Sequence, residues 1–230
     1  MTKKNNKGSF IKKLLLILVA FGPGTFIFLM AVGKCENQYQ ELPVFAEMPA
    51  YEFMGVDGNI INNETQKGRV TIFTTLQTSC PQNCAIDFYK FNLLVYQHYR
   101  KNQRKLDYVD IISIVTDEKG NPVENISEVS FMIDDLITGY DSTLWNVVSG
   151  DPKQIYDIES NGINLYNMKV DSAFGGKAFL ETMLIVDKQN KLRLVRRGDS
   201  EGMIRDFKQH VSLLQEQYDR EDKELEKSKE

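Results

Sequence analysis

Apolar positions along this chain recur with two different periods, and the alternation between them outlines a fold. Residues 69–75, 108–115 and 144–148 are short β-branched or apolar runs of strand length. Residues 51–54 and 59–61 flank Gly55-Val56-Asp57-Gly58, a hairpin signal. Residues 182–186 and 191–197 flank Lys188-Gln189-Asn190 in the same way. Between the strands the period lengthens. Cys84, Phe88, Phe91, Val95 and Tyr99 fall at helical spacing and predict a helix over 81–102. Asp117-Glu118-Lys119-Gly120-Asn121-Pro122 reads as a turn, and a helix over 125–138 follows. Asp151-Pro152 predicts a further helix start, with its stop near Asn161-Gly162. A last helix begins near Glu201, with Met203, Phe207, Val211, Leu214 and Tyr218 as its apolar stripe. Residues 219–230 are nearly all charged and read as a solvated helical tail. No internal repeat is visible.

Strands alternating with helices, closed by a hairpin and a helix, predict an α/β fold with a central mixed sheet and helices on both faces. At the junction of the 69–75 strand and the first helix stands Cys80-Pro81-Gln82-Asn83-Cys84. A CxxxC motif at such a junction indicates a thioredoxin-like fold. It places the active site at the C-terminal edge of the first core strand.

The N-terminal stretch obeys neither period. Residues 14–33 carry no charge. As a helix they are long enough to cross a bilayer core of roughly 30 Å. Gly22-Pro23-Gly24 should kink that helix, which membrane segments tolerate. The competing reading is a cleaved signal peptide, whose apolar core is usually shorter and ends in a small-x-small site that does not stand out here. Lys3, Lys4, Lys7, Lys12 and Lys13 precede the span, so residues 1–13 are expected on the cytoplasmic side. The remainder would then lie outside the cytoplasmic membrane, where disulfides persist. Residues 34–50, with Pro43 and Pro49, read as a linker to a soluble domain over 51–218.

Charge is divided unevenly along the chain. Six of the 28 basic residues lie within positions 1–34, ahead of the first acid, Glu36. The rest of the chain is therefore acidic, at about −10, which argues against a nucleic-acid partner.

Cys80 and Cys84 admit two chemistries. The pair can cycle between dithiol and disulfide, or hold a soft ion such as Cu(I). A helix N-terminus stabilises a thiolate, so Cys80 is expected to attack and Cys84 to resolve. The bland alternative is a structural disulfide, although closing so short a loop stabilises little. Cys35 lies at the membrane edge and reads as a thiol without a role, with an intermolecular disulfide as the alternative.

Several segments over residues 43–210 together resemble the SCO/SenC family of membrane-anchored, thioredoxin-fold proteins that assist assembly of the copper site of cytochrome oxidase. They are the strand entering Cys80–Cys84, Ile112-Ser113-Ile114-Val115-Thr116-Asp117, Trp145-Asn146-Val147-Val148-Ser149-Gly150-Asp151-Pro152-Lys153-Gln154-Ile155, and Leu184-Ile185-Val186-Asp187-Lys188-Gln189-Asn190-Lys191-Leu192. The resemblance implies copper as a cargo, held by Cys80 and Cys84 with a histidine, and a cytochrome oxidase subunit or other thiol–disulfide partner as client. The histidine of that family falls eight residues before the hairpin aspartate, and here that position is Phe179. His98 lies on the same predicted helix as Cys84 but nearly four turns further along. At helical rise per residue that is about 21 Å. His98 reads as a rim residue, and His210 as a structural or exposed one. Met168, Met183 and Glu181 are weak substitutes for the missing ligand. Glu181 also takes the place where thioredoxins keep a cis-proline, and a cis bond there would cost about 3 kcal/mol. Gln77 stands where the peroxide-reducing relatives need a threonine.

Three function classes follow. The first is a SCO-like assembly protein that reduces client cysteines or transfers Cu(I). The second is a general membrane-tethered thiol–disulfide oxidoreductase, and the third a binding module that has lost the chemistry. The missing histidine favours reduction of cysteines over copper storage.

Overall fold

The structure is a computed structural model. It describes residues 12, 21–22, 24–26, 41–79, 84–160, 162–169 and 176–228, with the side chains of 84–87 and 160 outside the description. Two units divide at Glu41 and Leu42. In the first, the described residues 12, 21–22 and 24–26 are helical, and Thr25 Oγ1 donates to the Phe21 carbonyl at 3.0 Å. The expected membrane segment otherwise lies outside the described residues. Among those described, no helix is long and apolar enough to cross a membrane.

The second unit is built on an eight-stranded sheet. Its strands are β1 (Ala46–Glu47), β2 (Glu52–Gly55), β3 (Ile60–Asn62), β4 (Val70–Gln77), β5 (Val109–Thr116), β6 (Trp145–Ser149), β9 (Thr182–Val186) and β10 (Lys191–Arg197), in the order β1-β10-β9-β4-β5-β6-β2-β3. A separate hairpin pairs β7 (Glu159–Ser160) with β8 (Ile163–Asn164). Among the described strands only β4–β5 and β5–β6 run parallel. β5 is buried at every position, as expected for a central strand covered on both faces.

Helix α1 is described from Cys84. It continues as an α-segment Cys84–Phe91, a π-turn Asn92–Tyr96 and an α-segment Gln97–Lys101. After a short α2 (Gln103–Leu106) come α3 (Ser127–Leu136), α4 (Lys153–Tyr156) and α5 (Glu201–Lys227). The chain steps from β4 to β5 to β6 in one direction across the sheet. Right-handed crossovers therefore put α1 and α3 on the same face. α5 joins them there, with Ile204, Phe207, Val211 and Leu214 in the same core as Val95, Ile133 and Trp145. The other face carries only the single turn α4, a 3₁₀ turn over Ala178–Glu181 and loops around Tyr51, Ile158 and Leu165 among the described residues. Helices flank the sheet on both faces as expected, the short α4 on one and the long α1, α3 and α5 together on the other.

Trp145 centres the helical face. Its ring lies 5.1 Å from Tyr96, 5.3 Å from Phe91 and 5.7 Å from Phe88, and its Nε1 donates to Ser113 Oγ at 2.8 Å. The π-turn brings Tyr96 into this cluster, which a plain α-helical stripe does not predict. Two other expectations change. The helix expected to reach Asn161-Gly162 stops at Tyr156, because Ile158 and Leu165 turn into the second core and Leu165 N donates to the Ile158 carbonyl at 3.0 Å. β7 and β8 pair across the point where the sequence predicts a helix stop. The expected linker is also partly structured: Ala46 and Glu47 pair with β10, and Met48 is buried.

Candidate functional site

β4 and β5 end together, with Gln77 opposite Thr116. Thr78 N extends the pairing by donating to the Thr116 carbonyl at 2.9 Å. Both chains then enter the same rim. Ser79 Oγ donates to Glu118 Oε2 at 2.7 Å, tying the residue before Cys80 to the loop after β5. That loop is folded on Asp117, whose Oδ1 accepts from the backbone N–H groups of Lys119 at 2.8 Å and Asn121 at 2.7 Å. Slight desolvation pushes the Asp117 carboxyl up, but these bonds and one from the Asn121 side chain outweigh it and hold the group below its usual range.

Cys80, Cys35 and the side chain of Cys84 lie outside the described residues. The attacking and resolving roles expected of Cys80 and Cys84 therefore rest on their place in the chain: Cys80 directly follows Ser79 at the C-terminal edge of β4, and Cys84 is in α1.

Phe179, at the position of the absent histidine, sits in the 3₁₀ turn that leads into β9. Thr75 Oγ1 donates to the Leu180 carbonyl at 2.8 Å and fixes this turn beside β4. The Phe179 ring is fully buried, stacked on Tyr166 at 4.7 Å and tilted against Tyr156 at 5.4 Å. Gly120, at φ +77°, covers it so closely that a Cβ there would lie 2.6 Å from Cζ. The position is a packed aromatic layer and offers no ligand.

The substitutes considered for it do not converge. Met183 belongs to the core of the helical face, whereas Met168 packs against the core of the second face. The Glu181 carboxylate is buried and accepts from Arg197 Nη2 at 2.9 Å, and Arg197 also pairs with Asp199 at 2.8 Å. The hydrogen bond that Arg197 donates to Glu181 raises the Arg197 pKa above its ordinary value. No cis peptide occurs among the described residues. α1 is continuous from Cys84 to Lys101, so His98 stays several turns along the helix from Cys84 and out of reach of it. Burial, and the nearby charge of Lys208, lower the His98 pKa. His210 Nδ1 lies 2.8 Å from the Asp206 carbonyl within α5. Among the described residues the candidates weighed as a third ligand do not gather, which leaves a two-thiolate arrangement as the fit for a copper ion.

Comparison with solved structures now bears on the fold. BsSco, a member of the Sco family of cytochrome c oxidase assembly proteins, superposes with a TM-score of 0.55 at 17% identity, over 76% of this chain and 98% of that one. The fold is thioredoxin-like. A SCO1/SenC family lipoprotein from Bacillus anthracis (TM-score 0.48, 17% identity, 73% of this chain and 96% of that one) is also similar. So is Arabidopsis thaliana ScoI, solved with copper bound (TM-score 0.49, 12% identity, 75% of this chain and 99% of that one). No protein-family model matches the chain, and no curated protein matches its sequence.

Sequence reasoning missed part of the thioredoxin-like rim. Ser79 and Glu118 meet only through the parallel register of β4 and β5. Tyr166 stacks on Phe179, and Lys153 and Lys177 reach the Tyr166 ring from two further segments. Lys153 Nζ lies 5.2 Å and Lys177 Nζ 5.6 Å from the Tyr166 ring centre. No local pattern announces contacts between segments so far apart in the chain.

Proposed function

We propose that this chain is a SCO-like, membrane-tethered protein that reduces the cysteines of a copper-site client of the cytochrome oxidase kind, using Cys80 and Cys84. What supports this reading is the position of the CxxxC motif in the chain, between the end of β4 and the described start of α1 in a thioredoxin-like fold. Residues 14–33 serve as the tether, and the domain faces the outer side of the cytoplasmic membrane.

The chemistry balances within the pair. The Cys80 thiolate attacks one sulfur of a client disulfide, forming a mixed disulfide and releasing one client thiolate, which takes up a proton. The Cys84 thiolate then attacks Cys80 and releases the second client thiol. Two electrons and two protons pass from the pair to the client, and Cys80 and Cys84 end as a disulfide. A helix N-terminus beside the pair favours the thiolate form that both steps require. Copper is a cargo in this reading. Two thiolates hold Cu(I) in a near-linear site, and the buried Phe179 in place of the histidine supports transient transfer over storage.

The test is single-turnover exchange. Reduced full-length chain in detergent, mixed anaerobically with a disulfide-bonded CxxxC peptide, should reduce one peptide disulfide per chain. Cys84→Ser should halt the reaction at a mixed disulfide through Cys80. Absence of exchange in the wild-type chain would contradict the proposal. In a parallel Cu(I) titration against a competing chelator, any binding should vanish in a Cys80→Ser, Cys84→Ser variant.

A further inference from the structure

We propose that Lys153, Lys169 and Lys177, set around the Tyr166–Phe179 ring stack, form a docking surface for an acidic segment of a partner protein. Three observations carry it. First, the lysines are gathered despite their repulsion. Lys169 and Lys177 face each other across an antiparallel bridge, an arrangement in which like charges destabilise, and Lys153 shares the Tyr166 ring with Lys177. None of the three has a carboxylate within ion-pair distance among the described residues. An anion between them would remove that cost.

Second, the surface is pre-organised. The Lys177 stem is wedged by the loop after β5, where a Cβ on Gly120 would lie 3.2 Å from Lys177 Cδ, and its ammonium stands 5.8 Å from the Phe179 ring centre. The rings hold one side of the Lys153 and Lys177 ammonium groups by cation–π attraction and leave the other for a carboxylate, with Lys169 across the bridge from Lys177. Holding the cations in place beforehand lowers the ordering cost of binding.

Third, the patch is linked to Ser79, the residue before Cys80. The loop over 117–121 touches Phe179 and Lys177 through Gly120 and holds Ser79 through Glu118. A segment lying on the lysines would thus bring its neighbours to the rim where Cys80 follows. Beyond Lys34 the chain is acidic, which disfavours nucleic acid and anionic bilayers and makes this basic island specific to a short acidic stretch. That the partner is the thiol client rests on the proposed function; the docking itself does not.

The experiment measures binding of a fluorescent peptide bearing six Asp and Glu residues, with a Gly/Ser peptide of equal length as control, to the full-length chain in detergent. The acidic peptide should bind more tightly, and its affinity should weaken severalfold between about 50 and about 200 mM salt. Lys153→Glu with Lys177→Glu should weaken it by roughly tenfold or more. The same reversal at exposed Lys101 and Lys105 should leave it nearly unchanged, and circular dichroism confirms that each variant is folded. Equal loss in both double variants, no preference for the acidic peptide, or binding only to phosphatidylglycerol vesicles would overturn the proposal. Binding is also measured in the Cys80→Ser, Cys84→Ser variant, where it should persist. Peptide binding without thiol exchange would sink the proposed function and leave the surface standing; exchange without peptide binding would do the reverse.

Discussion

The two ends of the central sheet are stabilised by different means. At the end remote from the cysteines the fold is tied by buried charge. Arg193 Nη1 donates to Asp187 Oδ2 at 2.8 Å and Nη2 to Gln217 Oε1 at 3.0 Å, and it also reaches the Leu42 carbonyl. One side chain thereby joins the late hairpin, α5 and the start of the domain. Both partners of the ion pair are almost fully buried. Nearby, Lys188 lies between the rings of Tyr108 and Tyr218, at 4.2 and 4.4 Å from their centres. At the cysteine end the Glu181 carboxylate is buried but its cation, Arg197, is open to water, as are Ser79 with Glu118, Arg197 with Asp199, and the lysines over Tyr166. Breaking a buried pair strands a charge, whereas breaking an exposed contact merely returns it to solvent. Loss of an ion pair should therefore cost more at the remote end than at the cysteine end.

The comparison can be broken at four places. Arg193→Met leaves Asp187 buried without its cation and should cost about 3–5 kcal/mol, read as a fall in the urea midpoint. Little loss there would erase the contrast. Phe179→His, which introduces the residue type that the SCO/SenC resemblance implies there, should cost about 2–4 kcal/mol, because a polar ring replaces an apolar one under Gly120 and Tyr166. It should not tighten Cu(I) binding, and a tenfold gain in the chelator titration would show that the ring can turn toward the cysteines. Glu118→Ala removes an exposed contact and should change stability by less than about 1 kcal/mol, while leaving the chain able to exchange thiols. His98→Asn is the smallest. Since the folded state lowers the His98 pKa, its contribution is present above the ordinary histidine value and is lost as pH falls through and below it. Wild-type stability should decline between about pH 7 and about pH 5.5 slightly more than that of the variant, as measured by paired urea titrations.

Most of the scaffold was legible in the chain because its signals are local. The late strands match the expected 182–186 and 191–197, and α5 begins at Glu201, where its apolar stripe puts it. The errors were failures of non-local information. Asn161-Gly162 reads equally as a helix stop or a hairpin, and only the burial of Ile158 and Leu165 decides for the hairpin. The π-turn follows from the demand of Trp145 for Tyr96, which the spacing on α1 alone does not contain. The common face of α1, α3 and α5 depends on strand order, a property of the whole sheet. At the site, the cysteine motif stands out in sequence, and counting back from Asp187 finds Phe179. That Phe179 is sealed by Tyr166 and Gly120 comes from two other segments, which only the fold brings to it.

The central claim is that Cys80 and Cys84 form a working redox pair. The most direct measurement equilibrates the full-length chain with glutathione buffers and quantifies the Cys80–Cys84 disulfide by mass spectrometry after thiol trapping. A reduction potential less negative than about −300 mV, with the disulfide forming and breaking reversibly, is the result this reading requires. A potential well below that value, in the range of structural disulfides, or failure of the pair to form a disulfide at all, would contradict the account.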